Sequence, residues 1–192
     1  MKKARAPNPR DHGLVELLVR RNQVYRGRSV NFRVDRIRLP DGRTAVREYL
    51  DHPGAVGVVA FLGLRDRRRV VLVRQYRHPV GEVTLEIPAG KLDPGESALA
   101  CVRRELLEET GYSARRLRPL LDYWPTPAFA NEELHLFVAE GLSPGRHAPD
   151  HDEFLEVVEM PFQKALGLVR SGKIRDSKTV IGLLACALWE PR

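Results

Sequence analysis

Residues 15–25, 30–39 and 44–49 are rich in apolar and β-branched positions and read as three strands; in the second, Val30, Phe32 and Val34, then Ile37 and Leu39, alternate with polar residues. The last two are joined by Pro40-Asp41-Gly42, a turn sequence. After the punctuation Asp51-His52-Pro53-Gly54, residues 55–64 and 69–76 form near-continuous apolar runs, the pattern of strands covered on both faces, with Arg65-Asp66-Arg67-Arg68 turning between them. From Ser97 to Gly111 the period becomes helical: Leu99, Val102 and Leu106 fall on one face, Ser97 is a good N-cap and Gly111 a good C′ residue. Residues 115–121, 133–139 and 154–160 read as further strands, and 161–171 and 177–189 as helices that cover the sheet. Three early strands without a helix make a poor free-standing unit. The organisation predicted is a flexible lead at 1–12, an antiparallel β unit at 13–50 and a main domain at 51–192.

Composition narrows the class. A chain of 192 residues with 43% hydrophobic content suits one domain with an appendage. No apolar run approaches the roughly 20 residues needed to span a bilayer. The basic start, Met1-Lys2-Lys3-Ala4-Arg5, is followed by no apolar stretch, which argues against a secretory signal. Cys101 and Cys186 form no CxxC pair, excluding a zinc ribbon and arguing against a disulfide framework, so the expectation is a cytoplasmic protein without a membrane partner. The net charge of +7 is uneven: residues 1–50 hold 13 Lys+Arg against 5 Asp+Glu, and the remainder 19 against 20. Arg26, Arg28, Arg33, Arg36 and Arg38 alternate with apolar residues as on the outer face of a sheet, and no recognition helix or aromatic RNA-binding pattern accompanies them. A solvated or anion-facing sheet is expected there rather than nucleic-acid binding.

The candidate chemistry lies on the first helix. Glu105, Glu108 and Glu109 fall within an arc of about 100° beside the apolar stripe. Ion pairs such as Arg104 with Glu108, or Arg103 with Glu105, are the plain account of such an edge. Three crowded carboxylates nevertheless repel one another without a compensating cation, and hard oxygen ligands on a rigid element suit Mg²⁺. Glu96, at the helix entrance, reaches back toward the same cluster.

Gly90, five residues, Glu96, seven residues and then Arg104-Glu105-Leu106-Leu107-Glu108-Glu109-Thr110-Gly111 resembles the Nudix box at every fixed position, with Tyr112 where a bulky aliphatic is usual. This resemblance implies an α/β/α sandwich with a mixed sheet, here preceded by the antiparallel strand unit, and metal-assisted hydrolysis of a nucleoside diphosphate linked to a second moiety. Arg74-Gln75-Tyr76-Arg77, Leu85-Glu86-Ile87-Pro88-Ala89-Gly90 and Pro127, sixteen residues beyond Gly111, are similar to the ADP-ribose pyrophosphatases of that superfamily, although Ala128 stands where relatives often carry glycine. The implied products are AMP and ribose 5-phosphate.

The resemblance also implies roles. Glu105, Glu109 and the Ala89 carbonyl, with Glu96, would hold Mg²⁺, with Mn²⁺ or Zn²⁺ as alternatives. Arg47, Arg77, Glu86 and Pro127 would face the substrate. Arg104 joins the catalytic group, and the general base lies among Glu108, Asp150, Asp152 and Glu153, of which Glu153 aligns best; His151 replaces one acidic position of the family. Tyr123, Trp124 and Phe129 offer a flat surface for a base or ribose, though core packing is the expected fate of at least two of them. The N-terminal strands would form a homodimer. The alternatives are another substrate (a nucleotide sugar, a dinucleotide or a nucleoside triphosphate) and a non-catalytic ADP-ribose-binding module.

Overall fold

The computed structural model describes residues 13–28, 30–63, 67–145 and 154–189. Asp150, His151, Asp152 and Glu153, like the lead at 1–12 and the turn residues Arg65 and Asp66, lie outside the described residues. The chain divides into two compact units, Met1–His52 with Thr126–Glu132, and Pro53–Pro125 with Glu133–Arg192.

The first unit is a four-stranded antiparallel sheet of β1 (Leu17–Arg20), β2 (Gln23–Arg26), β3 (Asn31–Arg38) and β4 (Thr44–Asp51). β3 pairs with β4 along one edge and with β1 and β2, end to end, along the other. The single strand predicted at 15–25 is therefore two short ones. The break is made by Asp35, 4% exposed, whose carboxylate accepts from the Asn22 amide at 3.0 Å and the Tyr49 hydroxyl at 2.9 Å. A side chain here replaces one rung of the backbone ladder. Thr126–Glu132 is tied to β4: the Leu50 amide donates to the Phe129 carbonyl at 2.9 Å, and the Asn131 amide to the Leu50 carbonyl at 3.2 Å. Asn131 also donates from its side chain to Asp51 and accepts from the His52 amide. Ile37 is the one buried apolar side chain among the described residues of this unit, while Leu17, Leu18, Val19, Val24 and Tyr25 are exposed.

The second unit contains β5 (Ala55–Leu62), β6 (Arg69–Arg77), β7 (Glu82–Glu86), β8 (Ala89–Lys91), α1 (Ala98–Thr110), β9 (Tyr112–Tyr123), β10 (Leu134–Pro144), β11 (Leu155–Pro161), α2 (Phe162–Arg170) and α3 (Ser177–Trp189). The sheet runs β11-β6-β5-β10-β9, with β5 and β10 parallel and the other pairs antiparallel. β5 and β6 share only the ladder from Ala60↔Val71 to Leu62↔Arg69. Beyond it they diverge: β7 takes the freed edge of β6, and β8 the freed edge of β5. The segment between β7 and β8 thus lies in the fork of the sheet. Sequence patterning missed both strands, because they are short and bracket Ile87-Pro88.

Both faces of the sheet are covered, which is why β5 is buried from Ala55 to Phe61. Val56, Val58 and Ala60 pack with Cys101, Val102 and Leu106 of α1, while Val59 and Phe61 pack with residues of α2 and α3 such as Ala165, Leu166 and Leu183. Each such large aliphatic side chain contributes roughly 1.5–3 kcal/mol on burial. The result is the mixed α/β/α sandwich expected. One residue departs: Leu99, expected on the core face of α1, is 44% exposed, and Cys101 is fully buried instead. Periodicity places Leu99 in line with Leu106, but does not encode how far the sheet extends beneath the first turn.

Candidate active site

α1 is delimited as its sequence predicts. The Ser97 hydroxyl accepts from the Ala100 amide at 3.2 Å, and Gly111, at φ 71°, adopts the left-handed cap and donates its amide to the Leu107 carbonyl at 2.9 Å. The preceding loop closes through Glu96, whose carboxylate accepts from the Asp93 amide at 3.1 Å. A fixed loop and a rigid helix present the carboxylates together.

Their geometry explains the glycine that opens the motif. A Cβ on Gly90 would lie 1.8 Å from Glu105 Oε1 and 1.9 Å from its carboxyl carbon, so the Glu105 carboxylate rests on bare backbone of β8. Glu109, 2% exposed, accepts from the Ala89 amide through Oε2 at 2.9 Å. Two acids four residues apart on α1 thereby grip consecutive residues of β8. Arg104 gathers the others: its guanidinium donates to Glu96 at 3.1 Å, to Glu105 at 2.8 Å and to Glu108 at 3.0 Å. Hydrogen bonding to Arg104, then to the Asp93 amide, holds the Glu96 carboxyl down to about 2. Among the two ion pairs expected, Arg104 with Glu108 is present. Burial, reinforced by Glu96 and Glu105, pushes the Cys101 thiol up to about 12, so no thiolate competes there near neutral pH.

Three carboxylates on one guanidinium, with Glu109 alongside, form an anionic oxygen-donor set on rigid backbone. The space a Cβ would fill at Gly90 is occupied by a carboxylate held against β8, and these donors suit a hard divalent cation. A separate trio, Asp122, Glu133 and His135, has ligand atoms within 4.8 Å of one another but shares no residue with the motif. It pairs β9 with β10 through Asp122 and His135, 2.8 Å apart.

The remaining expected residues divide between the two units. Arg77 and Glu86 belong to the second. Glu86 is 1% exposed and accepts from Arg77 Nε and Nη2, both at 2.8 Å, from Thr84 at 2.5 Å, and from Lys178. Burial alone would raise this carboxyl, but Arg77, Lys178 and Thr84 together bring it to about 2. Arg77, anchored in this way, keeps 43% of its side chain exposed. Arg47 and Pro127 belong to the first unit. Arg47 pairs with Glu16, Nε to Oε2 at 2.9 Å, and Pro127 lies in a turn in which the Ala130 amide donates to the Thr126 carbonyl at 3.1 Å. Of the three aromatic residues near it, only Tyr123 packs on the core; Trp124 and Phe129 are 65% and 56% exposed, contrary to the core packing expected for two. Sequence reading missed Lys178, Thr179 and Asp176, which surround Glu86 and Ile87; the available signal was a Lys-Thr pair opening an otherwise apolar helix just after Asp176.

A glycine-and-carboxylate loop running into a helix, set in the fork of a mixed sheet between helical layers, defines a Nudix-type hydrolytic site. The chain belongs to this family: the NUDIX domain matches residues 51–180. It is 41% identical over 177 residues to the methanol dehydrogenase activator of Bacillus methanolicus, covering 91% of this chain and 94% of that one. It is 38% identical over 179 residues to the ADP-ribose pyrophosphatase of Bacillus subtilis (strain 168), covering 92% and 95%. A crystal structure of an ADP compounds hydrolase shares the fold, with a TM-score of 0.77 at 24% identity over 91% of this chain and 93% of that one. Nudix hydrolases generally depend on a divalent metal.

Proposed function

We propose that this chain hydrolyses the diphosphate bond of ADP-ribose to AMP and ribose 5-phosphate with Mg²⁺ as its metal. The observation that carries this reading is the double grip of α1 on β8, with Glu105 seated on Gly90 and Glu109 on the Ala89 amide. Support for the substrate comes from the similarity, over most of both chains, to an ADP-ribose pyrophosphatase. Glu105, Glu109 and the Ala89 carbonyl, with Glu96, are the residues that would hold the metal. When bound, it supplies positive charge opposite the diphosphate and lowers the pKa of a coordinated water.

The protein's own groups do the rest. Arg77, fixed by its two bonds to Glu86, offers a permanent cation to the phosphates. Arg47 and Pro127 are further substrate-facing residues by the family resemblance alone. Arg104 keeps Glu96, Glu105 and Glu108 from repelling one another in the absence of metal. A carboxylate, Glu108 or Glu153 of the 150–153 acidic run, takes the proton of water as its oxygen joins phosphorus and the bridging P–O bond breaks. The protein acts in the cytoplasm as a homodimer through its N-terminal strands, whose exposed Leu17, Leu18, Val24 and Tyr25 support an apolar interface. Among the described residues no helix is long and apolar enough to cross a membrane.

Product analysis on ADP-ribose, ADP-glucose, NADH, a diadenosine polyphosphate and nucleoside triphosphates, with and without Mg²⁺, tests this reading. Metal-dependent AMP release fastest from ADP-ribose is expected. Preference for another member of the panel would replace the substrate, and tight ADP-ribose binding without turnover would make the chain a binding module. A second reading, activation of a partner dehydrogenase, is favoured by the 41% identity to the methanol dehydrogenase activator and is tested by adding the chain to that dehydrogenase.

A further inference from the structure

The segment Glu86-Ile87-Pro88-Ala89, which joins the arginine-bearing side of the site to the carboxylate-bearing side, is held at each residue by a different neighbour. Ala89 is bonded to Glu109 of α1, and the Pro88 carbonyl accepts from the Val58 amide of β5 at 2.9 Å. The other two residues are held by the first turn of α3. Asp176 Oδ2 accepts from the Thr179 amide at 3.0 Å and from its hydroxyl at 2.5 Å, and the Thr179 oxygen in turn accepts from the Ile87 amide at 2.8 Å. The hydroxyl proton is committed to Asp176, which leaves the oxygen lone pairs for Ile87. Lys178, 9% exposed, donates to Asp176 Oδ1 at 2.9 Å and to Glu86 Oε2.

Consecutive residues of α3 therefore act on consecutive residues of the segment. Lys178 binds the carboxylate that orients Arg77. Thr179, fully buried, fixes the amide two residues ahead of the Ala89 carbonyl. We propose that these are positioning residues with separate duties: Lys178 sets the Arg77 guanidinium through Glu86 and so governs affinity for the anionic diphosphate, while Thr179 sets the Ile87–Ala89 backbone and so governs affinity for the divalent cation. The inference rests on the hydrolytic reading of this site. A purely architectural role for the two residues would instead lower the melting temperature and weaken both affinities in parallel.

The full-length chain is compared with Lys178→Met and Thr179→Val. The readouts are KM for ADP-ribose, calorimetric binding of ADP-ribose in EDTA, and Mn²⁺ binding by electron paramagnetic resonance without substrate. K178M should weaken ADP-ribose about 10-fold and leave Mn²⁺ binding within about 2-fold, and T179V should do the reverse. K178R and T179S, which keep the cation and the hydroxyl, should return each constant toward the parent value. If K178M or T179V does not fold, K178Q and T179A supply the same comparison. Parallel loss of both affinities in either variant, or no change in either, overturns the proposal. If the parent leaves ADP-ribose intact, the hydrolytic reading fails, and the two binding readouts still decide the separate duties of Lys178 and Thr179.

Discussion

The Glu105 carboxylate occupies the place that a side chain on Gly90 would take, with Oε1 only 1.8 Å from where a Cβ would stand. The two residues lie on different elements, so the glycine serves the acid rather than its own turn. Gly90→Ala must push Glu105 off β8, because a Cβ contact under 3 Å does not persist. The chain should still fold, since neither residue belongs to the apolar clusters. Mn²⁺ affinity should fall, and turnover should drop on the order of 10²-fold. Unchanged metal binding in a calorimetric titration would refute the seat described for Glu105.

Glu109→Gln isolates charge from shape. A glutamine with its carbonyl turned to Ala89 can still accept the amide bond made at 2.9 Å, so circular dichroism and melting temperature should match the parent. Turnover should fall on the order of 10³-fold, about 4 kcal/mol of transition-state stabilisation. Near-normal turnover would remove Glu109 from the metal set.

Arg104 is the internal counter-ion of Glu96, Glu105 and Glu108. Arg104→Met leaves those acids to repel one another, with an expected loss of about 1–2 kcal/mol in EDTA. A bound divalent cation relieves the same repulsion, so saturating Mg²⁺ should raise the melting temperature of the variant by more than that of the parent. An equal rise in both proteins would show that Arg104 and the cation do not share this charge.

Acid should weaken the fold at Glu86. Its carboxyl is depressed from 4.5 to about 2, so its share of stability is fully present above about pH 4.5 and is lost as pH falls toward 2. A shift of that size corresponds to about 3 kcal/mol. In denaturant unfolding between pH 2 and 6, Glu86→Gln should start less stable and show a flatter decline than the parent. Parallel curves for the two proteins would mean that another carboxylate dominates the acid limb.

Much of this architecture is legible in the chain because covered strands and helices announce themselves by period. The apolar runs of β5 and β6, the α1 boundaries at Ser97 and Gly111, and the two closing helices all follow from local pattern. What local pattern hides is long-range polar bonding. Asp35 breaks the predicted first strand by capturing an amide 13 residues away, and the lysine of α3 would read as solvent-facing had Glu86 not been placed 92 residues earlier in the chain. The motif carboxylates were visible, whereas the division of labour among them was not: Arg104 as their shared partner and Gly90 as the seat of Glu105 depend on the close approach of β8 to α1. Trp124 and Phe129 show the converse limit, since apolar bulk alone does not decide burial in a loop.

The closeness of α3 to the sheet has its own consequence. Gly182 faces Val59 so tightly that a Cβ would stand 2.9 Å from the valine methyl, and α3 sits at this depth because the position carries no side chain. Lys178 lies one turn earlier on the same rod. Gly182→Ala adds a single methyl group and removes no charge, donor or ligand, yet it would lever the helix outward and lift Lys178 and Thr179 away from Glu86 and Ile87. A random search for inactive variants should therefore recover position 182 alongside the acidic residues, and an inventory of functional groups would give no warning of it.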